Sequence, residues 1–313
     1  MNITNINAEY ADANEMRSGF VAVVGKPNVG KSTLVNTIVG QKVAIISSKP
    51  QTTRHRILGV KNGPGYQIVF VDTPGIHKAS HQLDKYMEKT YRSEIKDADF
   101  IIFMIDATHD LREEDKIALK ILFGYKNSPN VPIFLAMNKI DKTDPKDLER
   151  RYEVLESMGN FQKGFKISAL TGKGVNELVN FVAQALPPGP PYFPIGQVTD
   201  QNPGVQASEI VREKVLLKTR QEVPHCVFVH TEEFREGSTP DTLYIREIIY
   251  VERKSQKGII IGKDGKKLKQ IGTLAREELE VISGKKVYLD LWVKVKEDWR
   301  ERKDLLRSWG YEV

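Results

Sequence analysis

Residues 25–32 read Gly-Lys-Pro-Asn-Val-Gly-Lys-Ser, and they limit the fold more than any other segment of the chain. They fit G-x-x-x-x-G-K-[ST]. A short apolar run, Phe20–Val24, precedes them, and a helix-compatible stretch, Thr33–Val39, follows. Strand, glycine loop and helix in that order make a phosphate-binding unit of an α/β sheet. Glycines let the backbone turn tightly and aim its N–H groups inward. The helix behind contributes the positive end of its dipole. This assigns Gly25, Lys26, Pro27, Asn28, Val29, Gly30, Lys31, Ser32 and Thr33 to a nucleotide phosphate cradle. Lys31 is expected to reach the β- and γ-phosphates, and the Ser32 hydroxyl to ligate Mg²⁺.

The surrounding pattern extends the α/β reading. Short apolar runs at Phe20–Val24, Tyr66–Val71, Phe100–Ile105, Pro132–Met137 and Phe165–Ile167 alternate with helical stretches. Most are apolar at consecutive positions, as strands buried on both faces are. Alternation with helices predicts a mostly parallel sheet with crossover connections. Pro187-Pro-Gly-Pro-Pro-Tyr-Phe-Pro194 then stops helix and strand alike and reads as a semi-rigid linker. A length of 313 residues suits two domains. The expected boundaries are a flexible N-terminus at 1–17, a nucleotide domain at 18–186, a linker at 187–200 and a second domain at 201–313.

No apolar stretch approaches the ~20 residues of a membrane span. The first 16 residues have neither the basic head nor the apolar core of a signal peptide. The single cysteine, Cys226, excludes an internal disulfide, which suits a reducing cytoplasm, and it reads as a buried structural thiol. The net charge of +6 is spread over both halves, so a nucleic-acid argument has to rest on local clusters.

Three segments support a guanine nucleotide site. Asp72-Thr-Pro-Gly75 ends an apolar strand with the carboxylate that phosphate-loop NTPases associate with Mg²⁺, and Gly75 lets an N–H approach a γ-phosphate. Asn138-Lys-Ile-Asp141 follows another strand. The Asp141 carboxylate suits the ring N1–H and exocyclic amine of guanine, Asn138 holds the pocket, and the Lys139 stem covers the base. Ser168-Ala169 comes after the last apolar run, with the Ala169 N–H expected on guanine O6. The series resembles that of the Ras-like translation-factor class. That resemblance implies a loop threonine that closes on Mg²⁺, here Thr53 or alternatively Thr52. Lys31, Thr53 and Gly75 are the expected catalytic groups. Where better-known small GTPases carry a glutamine after Asp-x-x-Gly, this chain has Ile76, which cannot orient water, so intrinsic hydrolysis is expected to be slow. Arg54, His55, His77 and Lys78 lie in the adjoining loops, where any could contribute to hydrolysis, although each reads more readily as a solvated residue.

After the linker the order changes to helix, strand, strand, helix, helix, strand, followed by a charged tail helix near Glu297–Ser308. This predicts a smaller α+β module. Its centre is Gly262-Lys-Asp-Gly265, flanked by the apolar pair Ile260-Ile261 and by Leu268 and Ile271. Between Arg253 and Lys269 there are seven basic residues and one acid. A G-x-x-G loop of this kind clamps a nucleic-acid backbone in KH modules. The expected RNA contacts are Lys257, Ile261, Gly262, Lys263, Asp264, Gly265, Lys266 and Lys267, with bases on an apolar groove near Ile259–Ile261. Trp292 and Trp299 are stacking candidates, although Trp292 reads more readily as core and Trp299 as a packing anchor.

A nucleotide domain, a proline linker and a C-terminal type II KH module together resemble the Era family of bacterial GTPases. The segments that carry the resemblance are Gly25–Ser32, Gln51–His55, Asp72–Gly75, Asn138–Asp141 and Gly262–Gly265. It implies a monomeric GTPase with GTP/GDP and Mg²⁺ as cofactors. It also implies binding to small-subunit ribosomal RNA and the 30S subunit, a role in ribosome assembly, and a cytoplasmic location with peripheral association at the inner membrane. Two alternatives stay open: a constitutive RNA-binding protein whose nucleotide is structural, and an ATPase with an RNA module. Asp141 argues against the second.

Overall fold

A computed structural model of the chain describes residues 16–76, 81–124 and 129–311. Within these, the chain forms two compact units. The first holds residues 16–44, 53–76 and 87–200; the second holds 45–52, 81–86 and 201–311.

The first unit is built on a six-stranded sheet of order β2-β3-β1-β4-β5-β6. β1 (Arg17–Val24), β3 (Tyr66–Asp72), β4 (Phe100–Asp106), β5 (Ile133–Asn138) and β6 (Lys163–Lys166) run parallel. Every residue of β4 and β5 is buried, as the consecutive apolar runs require. Alternate residues of each strand feed two cores. Val21, Val23, Ile102 and Phe134 pack with α1 (Lys31–Val39) and α5 (Val175–Ala185). Ala22, Val24, Ile101, Phe103 and Leu135 pack with α2 (Gln82–Asp97), α3 (Glu113–Phe123) and α4 (Pro145–Glu156). This is the doubly wound arrangement, in which ligand sites form beyond the carboxyl ends of the strands.

The apolar runs did not announce β2 (Ile57–Gly63), which pairs antiparallel with β3 at the sheet edge. Its signal is a turn at Pro64-Gly65, with Gly65 at φ +72°. The proline-rich stretch also differs from a free spacer, because it lies along the first unit. Ser18 N donates to Pro187 O (3.2 Å), Val60 N donates to Val198 O (2.9 Å), and Gln67 exchanges two bonds with the Phe193 backbone. Met16 is buried and β1 starts at Arg17, both within the stretch read as a flexible N-terminus. Residues 1–15 lie outside the described residues.

The second unit has a three-stranded sheet of order β7-β8-β9. β7 (Phe228–Glu236) is antiparallel to β8 (Thr242–Val251), and β9 (Lys286–Val295) is parallel to it. α6 (Pro203–Lys218), α7 (Lys254–Ile261) and α8 (Lys266–Ser283) cover one face around Ile210, Val211, Ile249, Ile260, Ile271 and Ala275. The Asn202 side chain caps α6 by accepting from Gly204 N, and Pro203 occupies its first turn. The tail is not one helix. It is a short 3₁₀ turn at Trp299–Glu301 followed by α9 (Lys303–Ser308). Trp299 is fully buried beside Phe228 and Trp309, whereas Trp292 is 54% exposed on β9, contrary to its core reading. A strand's alternation gives two faces, and only tertiary packing decides which one is covered.

Candidate functional site

All the nucleotide motifs emerge at the carboxyl ends of the parallel strands. Gly25 follows β1, Asp72 ends β3, Asp106 ends β4, Asn138 ends β5, and Ser168 lies just past β6. The loop after β1 closes tightly. A Cβ on Gly30 (φ +105°) would stand 2.3 Å from Asn138 Nδ2, and one on Gly75 would stand 2.7 Å from Pro27 N. Neither contact is tolerable for a larger residue, so both glycines are needed for the approach of their neighbours.

Lys31 lies at the start of α1, buried, with Nζ donating to the carbonyls of Gly25 and Lys26, each at 3.1 Å. Burial lowers its pKa to about 8, against the opposing pull of the Asp72 carboxylate. Asp72 is itself pushed above the ordinary carboxylate range by burial, opposed by Lys31 and by the Ser32 and Thr53 hydroxyls. Ser32 Oγ donates to Asp72 Oδ2 at 2.6 Å, and Thr53 Oγ1 lies 3.1 Å from Ser32 Oγ and 3.4 Å from Asp72 Oδ2. The Thr52 hydroxyl instead donates to the Lys49 carbonyl at 2.6 Å. Of the two candidate threonines, Thr53 is therefore the one gathered with Ser32 and Asp72. Asp72 Oδ1 is buried and accepts no hydrogen bond. Two hydroxyls and a carboxylate with a spare oxygen are a donor set for a hard dication such as Mg²⁺.

The base-reading segments differ from expectation in one respect. Asn138 Nδ2 donates to Val29 O (2.7 Å), and its Oδ1 accepts from Ala169 N (2.8 Å). The Ala169 N–H expected on guanine O6 is thus given to Asn138, and Ala169 serves to orient that amide. Thr37 of α1 donates to Ala169 O, which fixes the same loop from below. Ser168 is fully buried, with its Oγ accepting from Thr171 N at 3.2 Å. Lys139 (φ +69°) donates to Asn28 O at 2.9 Å and to Asp106 Oδ2 at 2.6 Å. Burial would raise Asp106, but the bonds from Lys139 and Thr108 outweigh it and hold the carboxyl below its usual range. Asp141 is exposed in a 3₁₀ turn, and its side chain makes no hydrogen bond with the described residues.

Sequence reasoning missed Asp106 and Asp115. Asp106 had a signal, a carboxylate ending a buried strand beside Asn138 in register. Lys26, expected at the phosphates, directs its ammonium to Asp115 Oδ2 at 2.6 Å. Ile76 is buried, and its N–H donates to Gly25 O at 3.2 Å. Arg54, read as solvated, is buried at 2% exposure and His55 is half-buried; His77 and Lys78 lie outside the described residues.

In the second unit, α7 ends at Gly262 (φ +72°) and α8 starts after Gly265 (φ +72°). A Cβ on Gly262 would stand 2.8 Å from Lys267 Cβ, so the glycine allows the chain to reverse there. Asp264 is also left-handed, at φ +53°. Lys263, Asp264 and Lys266 are exposed; Lys257, Ile261, Gly265 and Lys267 are half-buried. None of the basic side chains from Arg253 to Lys269 forms an ion pair with the described residues. Ile259 is 40% exposed and Ile260 is wholly in the core.

Residues 20–139 match the family described as 50S ribosome-binding GTPase, and residues 222–300 match the KH domain family. GTPase Era of Alkaliphilus oremlandii is 47% identical over 95% of this chain and 99% of its own length. GTPase Era of Carboxydothermus hydrogenoformans is 45% identical over 94% and 98%. The chain belongs to the GTPase Era family. Among solved structures, Era in complex with MgGDPNP and nucleotides 1506–1542 of 16S ribosomal RNA superposes with a TM-score of 0.90 at 44% identity, covering 95% of this chain and all of that one. A variant of Aquifex aeolicus Era bound to GDP and AlF4⁻ gives the same TM-score at 43% identity, with the same coverage. The expected fold class stands for this Era-family chain: a phosphate-loop GTPase domain with a parallel-rich sheet, then a smaller KH module.

Proposed function

We propose that this protein hydrolyses GTP slowly as a molecular switch, binds small-subunit ribosomal RNA through its KH module, and assists ribosome assembly. The observation that carries this is the near-full-length likeness to an Era captured with both MgGDPNP and the 16S RNA segment. Residues 18–186 would form the GTPase domain, 187–200 the connection and 201–313 the RNA-binding domain.

The residues divide the work as follows. Backbone N–H groups of 25–33 and the start of α1 receive the phosphates, and Lys31 meets their charge. Ser32 and Thr53 would hold Mg²⁺ beside Asp72, and the ion when bound would offset the negative charge of the phosphates. The Gly75 N–H is offered to the γ-phosphate. Asn138 orients the pocket and Asp141 reads the guanine edge. Ile76 provides neither a hydrogen bond nor a charge for the attacking water, so turnover rests on positioning and electrostatics and is slow without a partner. On the RNA side, the unpaired lysines around Gly262–Gly265 neutralise phosphates, and bases lie near Ile259–Ile261.

No helix among the described residues is long and apolar enough to cross a membrane. We place the protein in the cytoplasm as a monomer acting on the 30S subunit, with peripheral association at the inner face of the membrane. Cell fractionation tests the location.

Phosphate release from GTP, measured with and without a 16S 3′-end RNA, tests the function. Thr53→Ala should lower turnover by about tenfold or more, as loss of a metal-orienting group does, and Thr52→Ala should stay within about twofold. Asp141→Asn should move preference from guanine to xanthine nucleotides, because an amide donates where the carboxylate accepted. Wild-type protein that binds neither GTP nor the RNA would sink the proposal.

A further inference from the structure

Lys26 was expected among the phosphate ligands, but its surroundings assign it another task. The side chain is 9% exposed and that of Asp115 is 1% exposed, with Nζ and Oδ2 2.6 Å apart. Asp115 stands in the first turn of α3, where the same Oδ2 accepts the Arg112 N–H at 3.0 Å. His109 Nε2 lies 3.5 Å from the Lys26 ammonium, and that ring also stands 3.7 Å from Asp106 Oδ2. At its other end, the Lys26 carbonyl accepts from Lys31 Nζ at 3.1 Å. One residue thus has its charge fixed on α3 and its backbone fixed on the lysine that faces the phosphates.

A buried ammonium without its counter-ion would be strongly unfavourable, so the pair fixes where the first turn of the phosphate loop can sit. The rest of that loop is held from elsewhere, by Asn138 on Val29 O and by Lys139 on Asn28 O. Around Gly25–Pro27 the Lys31 ammonium holds the Gly25 and Lys26 carbonyls and the Ile76 N–H meets Gly25 O, while the Lys26 side chain joins this stretch to α3.

We infer that Lys26 is a positioning residue: through its buried ion pair with Asp115 it ties the phosphate loop to the start of α3, and so places the carbonyl that orients Lys31, without touching the nucleotide. This rests on the GTP reading above and adds a route by which α3 sets the quality of the phosphate site.

A double-mutant cycle on the full chain separates positioning from direct contact. The readouts are affinity for a fluorescent GDP analogue, KM and kcat for GTP, and melting temperature. Wild-type binding comes first; its absence would refute the GTP reading rather than this inference. If Lys26 acts through Asp115, Lys26→Met and Asp115→Asn each weaken nucleotide binding by about tenfold, their combination is no worse than either alone, and Lys26→Arg restores most of the loss. If Lys26 touches phosphate, Asp115→Asn keeps or improves affinity while Lys26→Met loses it, and the inference falls. Should Lys26→Met fail to fold, the all-apolar pair Lys26→Met with Asp115→Leu avoids the lone buried charge. That protein binding nucleotide as wild type does would also overturn the inference; a tenfold loss in it, together with the loss in Asp115→Asn that direct phosphate contact does not produce, would support it.

Discussion

The two lysine-rich regions of this molecule are built on opposite plans. In the phosphate loop and its neighbours, Lys26, Lys31 and Lys139 each have fixed partners: a carboxylate, two carbonyls, and a carboxylate with a carbonyl. Lys26 and Lys31 are buried, and Lys31 bears a depressed pKa as the cost of its desolvation. Around the G-x-x-G turn, the basic side chains from Arg253 to Lys269 form no ion pair with the described residues, and most stand in solvent. The first region is a preorganised pocket for one small polyanion of fixed shape. The second, on the proposed function, would be an open positive field for a long polyanion that can approach in several registers. Preorganisation gives strength that resists salt, whereas an open field gives reach that salt screens.

The largest effect should come from deleting the buried charge. Lys31→Ala should weaken guanine nucleotide binding by roughly 10²-fold or more while RNA affinity stays within about twofold, as read by fluorescent GDP titration and RNA filter binding. Equal losses at both sites would erase the contrast. Salt should then separate the regions. With about four phosphate contacts to single-stranded RNA, affinity should fall roughly 50-fold between 50 and 200 mM salt, and Lys263→Ala should reduce the log–log slope by about 0.7. Nucleotide affinity should change far less over the same range.

Proton linkage sharpens the comparison further. Since the Lys31 pKa lies near 8, binding of nucleotide above that pH must restore its proton, and affinity should fall by about tenfold per pH unit from pH 8 upward. Calorimetry in buffers of different ionisation heat would detect the proton taken up. Lys31→Arg, weaker overall, should be flat over this range because its charge persists.

The smallest effect belongs to a carboxyl in the RNA-binding unit. Glu247 is fully buried, with one oxygen lacking a hydrogen bond and its pKa raised to about 8 by burial. The Thr231 hydroxyl stands 2.6 Å from Gly204 O and 2.8 Å from Glu247 Oε1. With its one hydrogen donated to Gly204 O, the Thr231 oxygen can accept the proton of a neutral Glu247. The folded state therefore holds a proton that the unfolded chain loses near its ordinary value. The resulting stability is complete below about pH 4.5 and is lost as pH rises towards 8. Glu247→Gln should flatten this trend and raise the melting temperature at pH 8 by roughly a few degrees.

Much of the site was legible because its chemistry is local. Gly25–Ser32 carries its turn, its amides and its helix in consecutive residues, and Gly262–Gly265 carries its reversal in four. Partnerships between distant segments were not legible. Nothing in Lys26 distinguishes a lysine on phosphate from one on Asp115, 89 positions away. Likewise, Thr52 and Thr53 are the same residue type side by side, and only the loop's path decides which hydroxyl reaches Asp72. The edge strand β2 escaped because it is neither a long apolar run nor a strict alternation, and the turn at Pro64-Gly65 was its main mark.

By itself, then, the amino-acid order determined the alternating α/β unit, the proline break, the KH module and the two glycine-bearing loops proposed to bind anions. Each of these depends on backbone freedom or hydrophobic period over a few neighbouring residues. Only the tertiary structure decided that Lys26 belongs to Asp115, that Ala169 N–H belongs to Asn138, that Thr53 joins Ser32, and that Trp292 faces water while Trp299 does not. Those outcomes depend on which side chains compete for the same buried partner. That competition is settled by long-range packing, where an unpaired charge or amide is too unfavourable to leave, and no local pattern encodes it.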